Sequence, residues 1–290
     1  FKFEKRTSLE DIEISRGMFE QAINLDSNLV SAINRLGATY LRTSDLDKAE
    51  EVFKKAKEVS IRLNNKSAQA TSLSGLSNVQ SFRGKLDDAL VLIKEATAIA
   101  KELGDKGQII KCLNNTAVLY SSRGNPHKSL NNYIEMLTIA ESLDDKRLLC
   151  LGNSNLANIY LGLGKDSLSM QHSLKGYELA KEIGDLNKQA YALTIIGNNE
   201  FYNKQHEGAL QKYNQAIKIC EELGNKVWTV YMLYSFTDAY NYLHRESDAL
   251  EAGMRALNIS KELKNDNLIG ECYNLSLIHI SEPTRRRPIS

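Results

Sequence analysis

The sequence predicts an all-α chain, an α-solenoid of antiparallel helix pairs. Three observations predict it: a 40-residue period, two apolar stripes at helical spacing in each period, and Gly, Asn and Asp at the breaks between stripes. Six segments lie in register at that period: IRLNNK (61–66), KELGDK (101–106), ESLDDK (141–146), KEIGDL (181–186), EELGNK (221–226) and KELKND (261–266). Their shared aliphatic position is Leu63, Leu103, Leu143, Ile183, Leu223 and Leu263, with no insertion across 200 residues. Unrelated helices joined by arbitrary loops do not keep such a register.

One period, residues 30–65, gives the elements in order. VSAINRLGATYLR sets Ile33, Leu36, Gly37 and Tyr40 on one helix face. Thr43 and Ser44 break it, and Asp47 is the expected N-cap of the next helix. That helix carries Ala49, Val52, Phe53, Ala56, Val59 and Leu63 as a second stripe. Asn64 then takes the left-handed conformation that ends a helix, and Gly104, Gly184 and Gly224 fall in the same slot later. The slot after it holds Asn65, Asp105, Asp145, Asp185, Asn225 and Asn265, all residues whose side-chain oxygen caps a helix N-terminus. Where helices cross closely the chain is small: Gly37, Ala117, Ala157 and Gly197 in one slot, Ala49, Ala89, Ala209 and Ala249 in another. Such a pair cannot bury its apolar faces alone, so stacking on neighbours must supply the core.

Composition bounds the function classes. Of 290 residues, 42% are hydrophobic, enough for a core, and the 25% charged residues balance to a formal +1, without the basic excess of a nucleic-acid or membrane-surface protein. No run reaches the roughly 18 apolar residues of a membrane span. The four cysteines, Cys112, Cys150, Cys220 and Cys272, form no CxxC spacing and read as small buried hydrophobes in a reducing, cytoplasmic compartment. FKFEKRTSLE opens with neither an initiator Met nor a secretion signal, so a start inside a longer protein is expected.

Leu36-Gly37-x2-Tyr40 followed by Ala49-x3-Phe53-x2-Ala56 resembles the tetratricopeptide-repeat (TPR) pattern. It recurs as Ile196-Gly197 with Ala209, Tyr213 and Ala216, and more loosely around Leu76, Leu156 and Phe236, so that the resemblance covers about residues 10–274. Ile33 and Ile61 replace the usual Trp and Pro. Ser169, Ser173 and Gly176 stand where Ala, Phe and Ala are common, predicting looser packing of that second helix. The period is 40 rather than the commoner 34, and the extra residues are expected to lengthen the second helix. HEAT and armadillo repeats have a compatible period, but the Gly/Tyr/Ala/Phe signature favours TPR. The resemblance implies one right-handed α-solenoid superhelix over 1–274, with a partial repeat at 1–29, six repeats starting near 30, 70, 110, 150, 190 and 230, and a partial repeat from 270. Residues 275–290 break the pattern; LSLIHISEPTR (275–285) resembles a translated sequencing-library adapter, and this tail is expected to be non-native.

No catalytic constellation is expected. His127, His172, His206 and His244 fall about 40 residues apart, too far from repeat to repeat to share a metal. GLGKDS (162–167) lacks the first Gly and the Ser/Thr of a phosphate-binding loop, and Gly164 reads as a helix end like Gly84 and Gly124. Asn114-Asn115-Thr116 and Asn258-Ile259-Ser260 are sequons inside predicted helices. The chain is therefore read as a non-enzyme with neither metal nor cofactor.

The resemblance also implies that the first helix of each pair lines a concave face. Asn34, Asn78, Asn114, Asn158 and Asn198 are placed there, with Asp238 in the sixth repeat; an amide both donates and accepts, so such a ladder can hold the backbone of an extended peptide. Tyr191, Tyr202, Tyr231, Tyr234 and Tyr242 in the last two repeats are candidate anchors. The expected partner is a protein or peptide, with no nucleic acid and no membrane contact. Arg35, Arg42 and Lys111 are too scattered for a two-carboxylate clamp. KELGDK-type turns also resemble TPR arrays attached to bacterial signalling proteins, and residues 3–26 resemble the segment after the catalytic half of some class III cyclases, which makes a regulatory segment the alternative.

Overall fold

A computed structural model describes residues 9–263, Asn265 and 268–273, and every regular element among the described residues is helical. The expected tail, 275–290, lies outside them. The chain divides into two compact units, Phe1–Ser142 and Leu143–Ser290. Unit one holds α1 (Leu9–Leu25), α2 (Val30–Arg42), α3 (Leu46–Arg62), α4 (Lys66–Phe82), α5 (Leu86–Glu102), α6 (Lys106–Ser122) and α7 (Pro126–Ser142). Unit two holds α8 (Lys146–Gly162), α9 (Asp166–Glu182), α10 (Leu186–Tyr202), α11 (His206–Glu222), α12 (Lys226–Tyr242) and α13 (Glu246–Glu262).

The period comes from equal parts. From α3 onward every helix is 17 residues and consecutive helices are separated by three, so two helices and two turns make 40. The expectation that only the second helix is lengthened is thus corrected: both members of a pair are equally long. The exception is α2, with 13 residues, where a turn at 26–29 replaces the first helical turn and Asp26 Oδ1 accepts from the Asn28 N–H at 2.8 Å.

The turns explain the constancy. The middle residue is left-handed each time: Asn64 (φ 51°), Gly84 (75°), Gly104 (64°), Gly124 (71°), Gly164 (65°), Gly184 (70°) and Gly224 (62°), and also Ser44, Asp144, Lys204 and His244. The next N–H then reaches back into the last helical turn, as Asn65 does to the Ser60 carbonyl (2.8 Å) and Lys85 to that of Gln80 (2.9 Å), which satisfies carbonyls the helix leaves free. The third residue begins the following helix. All six expected caps bond as predicted: Asn65 to the Ala68 N–H, Asp105 to Gln108, Asp145 to Arg147 and Leu148, Asp185 to Lys188, Asn225 to Trp228 and Asn265 to Leu268. One cap moves. Because Ser44 is the left-handed residue, Asp45 caps α3 by accepting from Lys48 N–H at 3.3 Å, and Asp47 lies in the first helical turn, where it pairs with Arg83.

Packing within a pair is an exchange of volume. A Cβ at Gly37 would come within 2.9 Å of the Phe53 ring, and one at Gly197 within 2.6 Å of the Tyr213 ring. In the last pair the bulk changes sides: Thr237 occupies the Gly37 register and Gly253 the Phe53 register, where an added Cβ would only graze Thr237 at 4.0 Å. Phe53 and Tyr213 are almost completely buried, each contributing about 2–3 kcal/mol of burial. The looser packing expected of α9 is also corrected. Ser169 and Ser173 are fully buried, the Ser169 hydroxyl donates to the Ala157 carbonyl (2.8 Å), and a Cβ at Gly176 would meet Ser154 Oγ at 3.0 Å. Small residues bring α8 and α9 closer rather than leaving a gap. Cys112, Cys150, Cys220 and Cys272 are all buried, and burial pushes the first three thiols up.

Each unit has an inner and an outer row. In unit one α2 touches α4 and α4 touches α6, while the backbones of α3, α5 and α7 stay further apart. In unit two α8 touches α10 and α10 touches α12, while α9, α11 and α13 stay apart. The first helices of the pairs are therefore the inner row of each unit.

Candidate interaction face

The five asparagines all lie on inner-row helices but occupy two registers. Asn34 and Asn114 share one; Asn78, Asn158 and Asn198 share another, four residues further on, about 6 Å along the helix. Their surroundings differ more than their spacing does.

Asn34 is buried and spent within the fold. Its Nδ2 donates to the Ala68 carbonyl (3.3 Å) and its Oδ1 accepts from the Ser72 hydroxyl (3.0 Å), tying α2 to α4. Asn78 is half-buried, and its Oδ1 accepts from Asn115 Nδ2 at 3.1 Å. Asn115 also donates to Ser74 Oγ (3.3 Å), and Asn114 lies against Asn115 Oδ1 (3.5 Å). Asn198, likewise half-buried, accepts the Tyr213 hydroxyl at 2.7 Å through Oδ1. Asn158 is exposed. Asn78 and Asn198 therefore share one arrangement: the amide oxygen is engaged inside the fold and the NH2 group is left to face outward as donor. Asn115 belongs to this network in unit one, while Gln108 makes a separate link between α6 and α4, donating to Thr71 Oγ1 at 2.9 Å. Only the neighbouring Asn114 in the sequence hinted at Asn115; nothing in the periodicity marked Gln108.

The tyrosines fall into two groups in unit two. Near the helix starts, Tyr191 meets Trp228 edge-on (5.6 Å between centroids) and Tyr231 meets Tyr234 edge-on (6.0 Å). Tyr191 and Tyr231 share a register; burial pushes the Tyr191 hydroxyl up, whereas Tyr231 is 43% exposed. Tyr234 turns the other way: its hydroxyl donates to the Leu268 carbonyl (2.9 Å), and burial first, then the contact with Cys272, pushes it up strongly. It is a packing residue. Near the helix ends, Tyr202 and Tyr242 are 59% and 56% exposed, and Tyr242 packs on Phe201 (5.4 Å) and His206 (4.4 Å). Trp228 escaped the sequence reading, although the one Trp of the chain was a signal in plain view.

Among the described residues no three or more His, Cys, Asp or Glu converge as metal ligands, and no helix is long and apolar enough to cross a membrane. His172 is held by Asn153 Oδ1 (2.9 Å) and stacked on Tyr160, and burial, then Lys175, pushes its imidazole below the ordinary value of 6.5.

Rows of paired helices with polar and aromatic side chains on the inner faces define a helical-repeat domain of the protein-interaction class. Residues 28–102 match the family model of the tetratricopeptide repeat. The same helix pair recurs through the rest of the described chain, so the architecture matched over those residues is the architecture of both units. No curated protein sequence matches this chain significantly. Among solved structures it is similar to a signal transduction ATPase with numerous domains carrying a tetratricopeptide repeat sensor, from Pyrococcus horikoshii (20% identity, TM-score 0.70, 91% of this chain and 43% of that one). It is also similar to aspartyl phosphate phosphatase F from Bacillus subtilis (18% identity, TM-score 0.68, 96% of this chain and 77% of that one). A Rap protein complexed with competence and sporulation factor is similar too (14% identity, TM-score 0.63, 95% of this chain and 88% of that one). At these identities the likeness is one of fold.

Proposed function

We propose that the chain binds a segment of a partner protein in extended form along the concave inner row of a unit, and that it works as a scaffold. The observation that carries this reading is the shared arrangement of Asn78 and Asn198, whose oxygens are engaged internally and whose NH2 groups are left to donate. Such donors suit the carbonyl oxygens of an extended backbone, which every peptide presents whatever its sequence. Tyr191, Tyr231 and Trp228 supply flat apolar area with polar tips beside them, the kind of side chain that anchors interfaces. The similar Rap protein, whose structure holds a bound factor, supports a binding role for the fold.

The test keeps the internal bonds and removes the donors. Asn78→Asp, Asn158→Asp and Asn198→Asp together leave oxygens for Asn115 and Tyr213 but replace each NH2. Peptides selected from a random phage-displayed library on the full chain should bind this variant about tenfold or more weakly, roughly 1.4 kcal/mol, with helicity by circular dichroism unchanged. Unchanged affinity would place the peptide elsewhere.

A second reading, a regulatory segment of a larger bacterial signalling protein such as a cyclase, kinase or transcription regulator, draws on the likeness to the P. horikoshii ATPase, of which this chain spans 43%. Recovering the complete reading frame tests it: a catalytic or DNA-binding domain in the same frame supports it, and repeats alone sink it.

A further inference from the structure

Charge is sorted between the two rows of unit one. Its inner helices α2, α4 and α6 carry five basic side chains, Arg35, Arg42, Lys66, Lys106 and Lys111, and no Asp or Glu. The outer helices α3, α5 and α7 carry ten acidic residues and eight basic ones, so among these six helices the carboxylates are confined to the outer row. Basic groups within reach of the outer row are neutralised: Arg83 by Asp47 and Glu50, Arg123 by Asp87 (2.6 Å), Lys101 by Glu135 (2.7 Å) and Lys66 by Glu102. Lys106 reaches the Ser142 hydroxyl at 3.1 Å. Arg35, Arg42 and Lys111 make no ion pair with any described residue, and all three are exposed. Three uncompensated positive charges thus stand on one face, and the neutral polar group beside them, Asn78 Nδ2, is also a donor.

From this sorting we infer that the inner row of unit one selects an acidic segment, an extended stretch of a partner rich in Asp and Glu. The inference rests on the extended-peptide reading above and adds the chemistry of the partner. Geometry suits it. Arg35 on α2 and Lys111 on α6 are two helix steps apart, roughly 20 Å at the usual packing distance, which about six residues of extended chain span. Carboxylates at the two ends of such a stretch meet the guanidinium and the ammonium, and the backbone between them meets the Asn78 amide donor of α4. A nucleic-acid strand suits it less well, because three unpaired cations spread over so long a path leave most phosphates unmatched.

The experiment uses the full chain and three fluorescein-labelled peptides of about ten residues, alternating Glu/Ser, Gln/Ser and Lys/Ser, with oligothymidylate as competitor, read by fluorescence anisotropy. The Glu/Ser peptide should bind about tenfold more tightly than Gln/Ser at about 50 mM salt and lose most of that advantage at about 300 mM. Arg35→Glu with Lys111→Glu should abolish the preference, and Arg35→Gln with Lys111→Gln should reduce it. Lys94→Glu, the same charge change on the exposed surface of α5, should leave it intact. Equal binding of all three peptides overturns the acidic assignment and leaves the extended-peptide reading standing, whereas binding of none overturns both. Competition by oligothymidylate as strong as by the acidic peptide would replace the carboxylate with a phosphate and so overturn the assignment too.

Discussion

The two units share a skeleton and differ in what they show on it. Helix length, three-residue turns, left-handed middle residues and side-chain caps are the same in both. The inner registers are not. Where unit one has Ser31, Thr71 and Lys111, unit two has Leu151, Tyr191 and Tyr231; where unit one has Arg42, Phe82 and Ser122, unit two has Gly162, Tyr202 and Tyr242. One inner face is cationic and rich in amides, and the other is aromatic. The difference teaches that the two sets of positions are physically independent. Turn and crossing positions answer to backbone conformation and volume, which recur every 40 residues, whereas exposed inner-face positions are held by neither.

The comparison can be broken first at the crossings. Gly197→Leu in unit two and Gly37→Leu in unit one should each cost about 3 kcal/mol or more, because a buried ring already fills the space. Gly253→Ala, facing Thr237 across 4.0 Å, should instead be neutral or gain up to about 1 kcal/mol of helix propensity. Thermal melting decides it, and an unaltered melting temperature in Gly197→Leu would put the crossing in the wrong place. The turns come next. Gly84→Ala should cost about 1 kcal/mol, and Lys204→Gly should gain up to about as much, since both positions are left-handed.

Acid separates the units more gently. His172 in unit two is kept neutral when folded, so the unfolded chain takes up its proton first; stability should fall as pH drops below about 6.5 and level off once the folded imidazole protonates as well. Unit one has only the exposed His127. Urea midpoints at about pH 7.5 and pH 5.5 should converge between wild type and His172→Gln at the lower pH, and a constant gap would remove His172 from the acid response. Smallest of all, Lys146→Ala, which breaks the exposed pair with Glu182 (2.9 Å), should leave the melting temperature unchanged within error, as exposed pairs usually do.

The fold was readable because its determinants are local. A Gly or Asn followed by Asn or Asp at fixed phase states both the end of one helix and the start of the next, and four such pairs, at 64–65, 104–105, 184–185 and 224–225, turn and cap as expected. The misplacement at Asp47 shows the limit: Asp45 and Asp47 are equally good caps by type, and only the left-handed turn at Ser44 decides between them. The site was less readable. Asparagine at an inner-row position says nothing about whether its amide is spent on a neighbour, as at Asn34, or half spent, as at Asn78, because the partners Ser72 and Asn115 lie about 40 residues away. Tyr234 was taken for an anchor because its type is right for one; its hydroxyl is bound to the Leu268 carbonyl, a contact no local pattern encodes.

The traded volume between Gly37 and Phe53, Gly197 and Tyr213, and Thr237 and Gly253 has a consequence for how such a gene can be reshuffled. Both halves of each trade lie within one pair, so a block cut at the left-handed residues between pairs, such as Gly184 and Gly224, carries its own fit wherever it is spliced. A crossover inside a pair could set Thr237 against a tyrosine, or Gly197 against Gly253, and yield a clash or a void. The repeat array therefore tolerates exchange of whole pairs, and with them whole stretches of inner face, while penalising exchange of single helices. Phe53, whose ring also lies where a Cβ on Gly75 of the next pair would be, is the one crossing described here that would resist even a clean cut.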